Sequence, residues 1–165
     1  MPLKLTPTNL SKIIEKAKFL FRDKLKNKMI ELSYQKHASE EIKVMVDESS
    51  FANQVINNLI SNAIKFSHEN STISISAKIL DENKVQITIK DTGVGIPIDI
   101  LQNIFDDQKK TTRNGTLGEK GTGFGMPLVK KFIELYHGQI EIESKSIEQY
   151  PNDHGSIIHI YLDKA

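Results

Sequence analysis

At 165 residues, with 38% hydrophobic and 26% charged side chains, the chain has the composition of one ordinary folded domain, long enough to bury a core. Its 22 Lys and Arg against 21 Asp and Glu leave a net charge of +1, which gives no electrostatic case for a nucleic-acid or membrane-surface role. Cysteine is absent, which excludes disulfides, thiolate metal sites and a thiol nucleophile. No apolar run approaches the roughly 18 residues of a spanning helix, and no signal-peptide pattern opens the chain. A cytoplasmic domain is therefore expected, either free or as part of a membrane-anchored receptor.

From Thr8 to about Lys26, the residues Leu10, Ile13, Ile14, Ala17, Leu20 and Phe21 recur at helical spacing, with Asn9 or Ser11 as the starting cap. The basic stretch from Lys16 to Lys28 reads as that helix's solvated face. Strand-like pieces follow at Met29 to Tyr34 and Ile42 to Val46, joined by a polar loop that holds His37. A second helix is predicted from about Ser50 to Phe66. Thr72 to Ile79 and Val85 to Lys90 alternate with period two around an Asp81-Glu82-Asn83 turn, the pattern of a hairpin with one buried face. A short helix is predicted around Ile98 to Phe105, then a polar segment from Asp106 to Gly121. A third helix runs from about Gly125 to Tyr136 and is stopped by His137-Gly138. Gln139 to Ser144 and Ser156 to Leu162 are the closing strands. Helices and strands cluster rather than alternate, which predicts an α+β fold, a mixed sheet with helices on one face.

Three features carry chemistry. At 100° per residue, Gln54, Asn58, Asn62 and Lys65 share one stripe of the second helix, and Phe51 starts the same line. Val55, Ile56, Leu59, Ile60, Ala63 and Ile64 cover the opposite arc. Such a stripe also suits a face turned to water. Exposed faces, however, usually favour better helix formers than asparagine, and amide oxygens can coordinate Mg²⁺. The second feature is Asp91-Thr92-Gly93-Val94-Gly95-Ile96-Pro97, directly after a predicted strand. It is either an ordinary turn or a place where a carboxylate meets an exocyclic amine such as adenine's while two glycines let backbone approach a flat ligand. The third is Gly121-Thr122-Gly123-Phe124-Gly125-Met126-Pro127-Leu128. Glycines that open a helix present N–H groups and the positive end of its dipole to a phosphate, and Pro127 suits a first turn. A dinucleotide fingerprint would need its third glycine at Met126, and neither a P-loop nor the protein-kinase elements occur.

Asn58-Leu59-Ile60-Ser61-Asn62-Ala63-Ile64-Lys65-Phe66 resembles the N box of the GHKL ATPases (the ATP domains of gyrase, chaperone, mismatch-repair and histidine-kinase proteins). Asp91 to Ile96 resembles their first glycine box and Gly121 to Leu128 their second. Ile104-Phe105 stands where histidine kinases carry the F box, and Val44 to Asp47 leading into Gln54-Val55 is similar to what precedes a kinase N box. The motifs occur in the family's order, and the likeness covers about residues 5 to 163.

This resemblance implies a Bergerat-type two-layer α/β sandwich with a mostly antiparallel sheet, formed by residues 1–165 as a single domain with a mobile ATP lid at about 106–121. It implies a sensor histidine kinase catalytic domain that binds ATP and Mg²⁺ and passes the γ-phosphoryl to a histidine on a separate dimerisation domain, for relay to a response regulator. Asn62 would hold Mg²⁺, Asn58 would line the same site, Lys65 would reach a phosphate and Phe66 would pack near the nucleotide. Asp91 would take the adenine amino group, with Gly93, Gly95 and Ile96 against the base. Phe105, Lys120, Gly121, Thr122, Gly123, Phe124, Gly125 and Met126 would complete the nucleotide site, and Lys109, Lys110, Arg113 and Lys120 are candidate phosphate contacts.

Hydrolytic relatives typically carry a glutamate where this chain has Asn58. An asparagine cannot take a proton from water, which favours phosphotransfer. None of His37, His68, His137, His154 and His159 has the family's acceptor setting, so the acceptor is expected outside this chain, which by itself should be monomeric and touch neither nucleic acid nor membrane. His37 is expected in a solvated loop, His137 at a helix C-terminus and His159 on an outward strand face. Asp106-Asp107-Gln108 stands where many kinases have a second aromatic residue. Lys145 to His154 is longer than the usual turn there and is either a contact for a partner or, the favoured reading, a neutral insertion. A serine/threonine kinase of the anti-sigma-factor type and a non-catalytic nucleotide module are the alternatives.

Overall fold

The computed structural model describes residues 2–106, 115–118 and 125–165. In chain order these form β1 (Thr6–Asn9), α1 (Leu10–Leu20), α2 (Arg22–Lys28), β2 (Glu31–His37) and β3 (Lys43–Val46). A long helix follows, made of α3 (Glu48–Ser50), a π-helical turn (Phe51–Ile56) and α4 (Asn57–Phe66). Next come β4 (Thr72–Ile79), β5 (Lys84–Asp91), α5 (Ile98–Leu101), α6 (Gly125–Leu135), β6 (Gln139–Lys145) and β7 (Gly155–Asp163).

Five strands form one sheet in the order β2-β4-β5-β7-β6, with β2 parallel to β4 and every other neighbour antiparallel. Register brings apolar residues into rows across it. Ala77 faces Ile87, Ile87 faces Ile160, and Ile160 faces Ile140. One pair further along lies the row Ile75, Ile89, Ile158 and Ile142. Period two puts these rows on one face, where they meet Ile13, Ile14, Val55, Ile56, Leu59, Ile60, Val129 and Ile133 from the helices. Burial of each such side chain stabilises the fold by about 1.5–3 kcal/mol. The opposite face is polar, and there His159 contacts Thr88 across the strands at 3.0 Å through Nδ1, as its outward position predicted. This is the two-layer mixed sandwich expected from the clustering of elements.

Several expectations are corrected. The first helix does not run from Thr8 to Lys26. Thr6–Asn9 instead pairs antiparallel with Lys43–Val46 in a separate two-stranded ribbon, and the helix breaks at Phe21 (φ −96°, ψ 11°). Asn9 is the cap, its side chain accepting from Lys12 N at 3.3 Å. His37 closes β2 rather than lying in a loop. Phe51 leaves the polar stripe and is fully buried against Tyr136, with ring centroids 6.1 Å apart. The cause is the π-helical turn, whose extra residue per turn makes a 100° count fail when carried back from Asn58. Lys28 is not on a solvated face, being only 3% exposed. The third helix ends as expected, with His137 in the left-handed region (φ 66°) and Gly138 N donating to Ile133 O at 2.9 Å.

Candidate functional site

Asp91 is the last residue of the central strand β5, paired with Ser156 of β7. Its Oδ1 accepts from Gly93 N at 2.9 Å, which fixes the plane of the carboxylate at the mouth of the turn. The turn is then tied from two sides. Val94 N donates to Phe66 O at 3.0 Å, joining it to the end of α4. Ile96 N donates to Ser144 Oγ at 2.8 Å, Ile147 N donates to Val94 O at 2.8 Å, and His154 Nδ1–H donates to Gly93 O at 2.5 Å.

Both glycines are required by this closeness. A Cβ on Gly93 would stand 2.2 Å from Phe66 O. One on Gly95 (φ +69°) would stand 1.9 Å from Lys145 O. The segment from Lys145 to His154 is therefore no neutral insertion, because it braces the Asp91–Ile96 turn through Ile147 and His154. His154 also stacks edge-on to His68, with ring centroids 6.3 Å apart.

The other half of the site lies on α4. Asn58, Asn62, Lys65 and Phe66 are all half-buried along it, so the stripe is not simply turned to water. Asn58 Nδ2 donates back to Gln54 O at 2.6 Å, and Asn62 Nδ2 reaches Met126 Sδ at 3.6 Å. A Cβ on Gly125 would meet the same Asn62 amide at 3.9 Å. The N-terminal end of α6 thus abuts the middle of α4, with the positive end of its dipole beside Asn62 and one turn from Lys65. The Lys65 ammonium sits 5.0 Å over the Phe66 ring.

Helix α4 is thereby in contact with both the Asp91 turn, through Phe66, and the α6 start, through Asn62. Asn62 offers an amide oxygen suited to Mg²⁺, a hard cation that keeps water and phosphate among its ligands rather than needing an all-protein cage. Ile96 packs partly buried against the core. Phe105 is only loosely part of this group. It shares a groove with Pro127, Leu128 and Lys130 on the far side of α6, its ring 5.3 Å from the Lys130 ammonium. Lys120, Gly121, Thr122, Gly123 and Phe124 lie outside the described residues, as do Lys109, Lys110 and Arg113 and most of the expected lid.

Besides the Ile147 and His154 brace, two residues were missed by reasoning from sequence. Lys28 Nζ donates to Ile64 O at 2.8 Å, Lys65 O at 3.1 Å and Ser67 O at 3.2 Å, and also to Thr116 Oγ1 at 2.8 Å. A signal existed, because Lys28 continues the apolar stripe of Ala17, Phe21 and Leu25 at helical spacing. Thr116, in the described residues 115–118, gave none.

Residues 47–165 match the family described as "Histidine kinase-, DNA gyrase B-, and HSP90-like ATPase". The adaptive-response sensory kinase SasA of Gloeothece citriformis is 34% identical over 131 residues, which cover 79% of this chain and 31% of that kinase. A second SasA, from Rippkaea orientalis, is 29% identical over 94% of this chain and 36% of its own length. The chain thus spans about a third of the length of these curated relatives. Among solved structures, the catalytic domain of histidine kinase ThkA superposes with a TM-score of 0.80 at 25% identity, covering 98% of this chain and 99% of that one. Full-length ShkA in complex with AMPPNP shares the fold with a TM-score of 0.79 at 21% identity, over 100% of this chain and 32% of its own. Family match, sequence likeness and fold agree with the motifs, and the chain belongs to the histidine kinase-, DNA gyrase B- and HSP90-like ATPase family, as a homologue of sensor histidine kinase catalytic domains.

Proposed function

We propose that the chain is one ATP-binding domain that takes Mg-ATP between α4, the Asp91 turn and the start of α6, and transfers its γ-phosphoryl to a histidine on a dimerisation domain. In this reading Asp91 accepts from the adenine amino group, Gly93, Gly95 and Ile96 face the base, and Phe66 packs beside it. Asn62 holds Mg²⁺, Asn58 lines the same pocket, and Lys65 and the α6 N-terminus meet the phosphates. Lys120, Gly121, Thr122, Gly123, Phe124, Gly125 and Met126 complete the nucleotide surroundings, and Phe105 contributes only from the groove across α6.

The observation that carries the reading is the convergence on α4 of pieces far apart in sequence. Val94 hangs from the Phe66 carbonyl and Met126 touches Asn62. The Asp91 turn at the end of α4 and the α6 start at its middle thus lie within about one turn of each other, which supports reading the first as the acceptor for a purine amine and the second as the phosphate site. The chemistry is in-line: an imidazole nitrogen bonds to the γ-phosphorus, the bond from that phosphorus to the β–γ bridging oxygen breaks, and ADP leaves. Positioning and charge neutralisation do most of the work in such transfers. Imidazole needs no strong base, which accords with Asn58 where a water-activating glutamate would otherwise stand.

The phosphoryl group then passes to a response regulator. ThkA has been solved in complex with the response regulator TrrA, and we extend that pairing to this chain. No helix among the described residues is long and apolar enough to cross a membrane. We place the domain in the cytoplasm, free or within a membrane-anchored receptor, and as a monomer when isolated.

The test is incubation with γ-labelled ATP, Mg²⁺ and a histidine-bearing dimerisation domain. The reading expects an acid-labile, base-stable phosphoprotein, reduced about 100-fold by Asn62→Ala if the Mg²⁺ contact is worth about 2.7 kcal/mol in the transition state. An acid-stable product on serine would favour the anti-sigma-factor type of kinase. Nucleotide binding without any transfer would leave a binding module.

A further inference from the structure

The C-terminal end of α4 carries a concentration of tertiary bonds that the nucleotide motifs do not account for. A helix end leaves its last carbonyls without intrahelical partners and carries partial negative charge. Here that end lies beside Lys65, where the proposed function puts the anionic phosphates. Uncompensated, it would oppose them.

The carbonyls of Ile64, Lys65 and Ser67 all accept from Lys28 Nζ, and that of Phe66 accepts from Val94 N. Lys28 comes from α2, 36 residues or more away in sequence, and is 3% exposed. The same Nζ donates to Thr116 Oγ1, Thr116 Oγ1 donates to Ser67 O at 2.9 Å, and Thr116 N donates to Lys65 O at 2.9 Å. An ammonium has three hydrogens for these four acceptors, so at least one is shared, and the threonine hydroxyl both accepts and donates. Lysines are rarely this buried without such satisfaction.

We propose that Lys28, with Thr116 as its partner, is a positioning residue for the nucleotide site. It clamps the end of α4 so that Lys65 and Phe66 are held in place, offsets that helix end's negative potential, and pins residue 116 of the intervening segment to it. Lys28 touches no nucleotide atom itself. It acts through the Lys65 and Phe66 backbone and through Thr116. This inference rests on the ATP reading above.

The test measures Mg-ATP affinity by calorimetry, with thermal unfolding in parallel, for the unaltered chain and for Thr116→Val, Thr116→Ser, Lys28→Met and Lys28→Met with Thr116→Val. Thr116 is only half-buried, so both of its variants are expected to keep the fold, which the thermal unfolding checks. We expect Thr116→Val to weaken ATP about tenfold, the loss of a hydrogen bond to a charged group. Thr116→Ser, which keeps the hydroxyl, should bind like the unaltered chain. Lys28→Met should weaken binding further, and the double variant should be no weaker than Lys28→Met alone, because the two act as one unit. The inference is overturned if Thr116→Val binds ATP normally, if Thr116→Ser is as impaired as Thr116→Val, or if the two losses add. The Thr116 pair decides even if Lys28→Met fails to fold. No ATP binding by the unaltered chain would instead overturn the function reading, and this inference with it.

Discussion

The Asp91–Ile96 turn and the Asn58–Lys65 face of α4 meet at the same end of the sheet but are held in different ways. Around the turn the restraints act on its main chain: Gly93 O accepts from the His154 ring, Val94 N donates to Phe66 O, Val94 O accepts from Ile147 N, and Ile96 N donates to Ser144 Oγ. Two glycines are packed closer to neighbouring carbonyls than any side chain would allow. On α4 the functional groups are side chains on a regular helix, and two of their contacts are soft, the Asn62 amide against a thioether at 3.6 Å and the Lys65 ammonium over a ring at 5.0 Å. A flat base needs a surface of fixed shape, and backbone supplies it. Phosphates and a cation vary in position through a transfer, and side chains can follow them. Substitutions at the turn's glycines should therefore disturb fold and binding together, whereas those on α4 should disturb chemistry alone.

The sharpest break in that contrast is Gly95→Ala. Its Cβ must avoid a carbonyl 1.9 Å away from a positive φ, so we expect about 3 kcal/mol of lost stability together with lost nucleotide binding. Denaturant titration checks the first and calorimetry the second. Asn62→Ala should leave the unfolding midpoint almost unchanged while phosphotransfer collapses. An Asn62 variant as unstable as the Gly95 variant would erase the distinction.

A smaller effect tests the brace. His154→Ala removes the donor to Gly93 O and should cost about 1 kcal/mol and a several-fold rise in the KM for ATP at unchanged kcat. His154→Asn, whose Nδ2 can stand where the imidazole Nδ1 stood, should recover most of it. Equal losses in both variants would mean that the ring's packing, not its hydrogen bond, matters.

The smallest effect lies far from the site. Burial pushes the Tyr136 hydroxyl from 10.0 up to about 12, a rise opposed by its bond to Ser50 and reinforced by Asp47. A raised folded-state value means that stability is complete below pH 10 and is lost as the pH rises towards about 12. Tyr136→Phe should lower stability at neutral pH by about 1 kcal/mol but flatten the alkaline loss. An unchanged alkaline profile would show that other groups govern it.

The contrast also explains what could be read from the chain. The α4 stripe, the hairpin and the Asp91 turn were legible because each is local: a period of 3.6, a period of two, or glycines directly after a strand. The ribbon between Thr6–Asn9 and Lys43–Val46 was not, because four-residue strands carry too few alternations and pair across more than 30 residues. The π-helical turn was hidden as well, since Phe51 to Ile56 have side chains equally at home in an α-helix, and it moved Phe51 into the core. The brace from Ile147 and His154 is one long-range hydrogen bond from each residue, and the clamp is several from the one Lys28 ammonium, and such contacts leave no periodic trace. Only the place of Lys28 on an otherwise apolar stripe hinted at burial.

The central claim is that Asp91 at the end of β5 selects the adenine ring. The direct measurement is titration calorimetry of Mg-ATP and Mg-GTP into the unaltered chain and Asp91→Asn. The account predicts that the unaltered chain binds ATP and discriminates against GTP, which carries an oxygen where adenine has its amino group, and that Asp91→Asn, still folded by circular dichroism, loses ATP affinity about 100-fold, roughly 2.7 kcal/mol. Equal ATP affinity in the two proteins, or no preference for ATP over GTP in the unaltered chain, would contradict it.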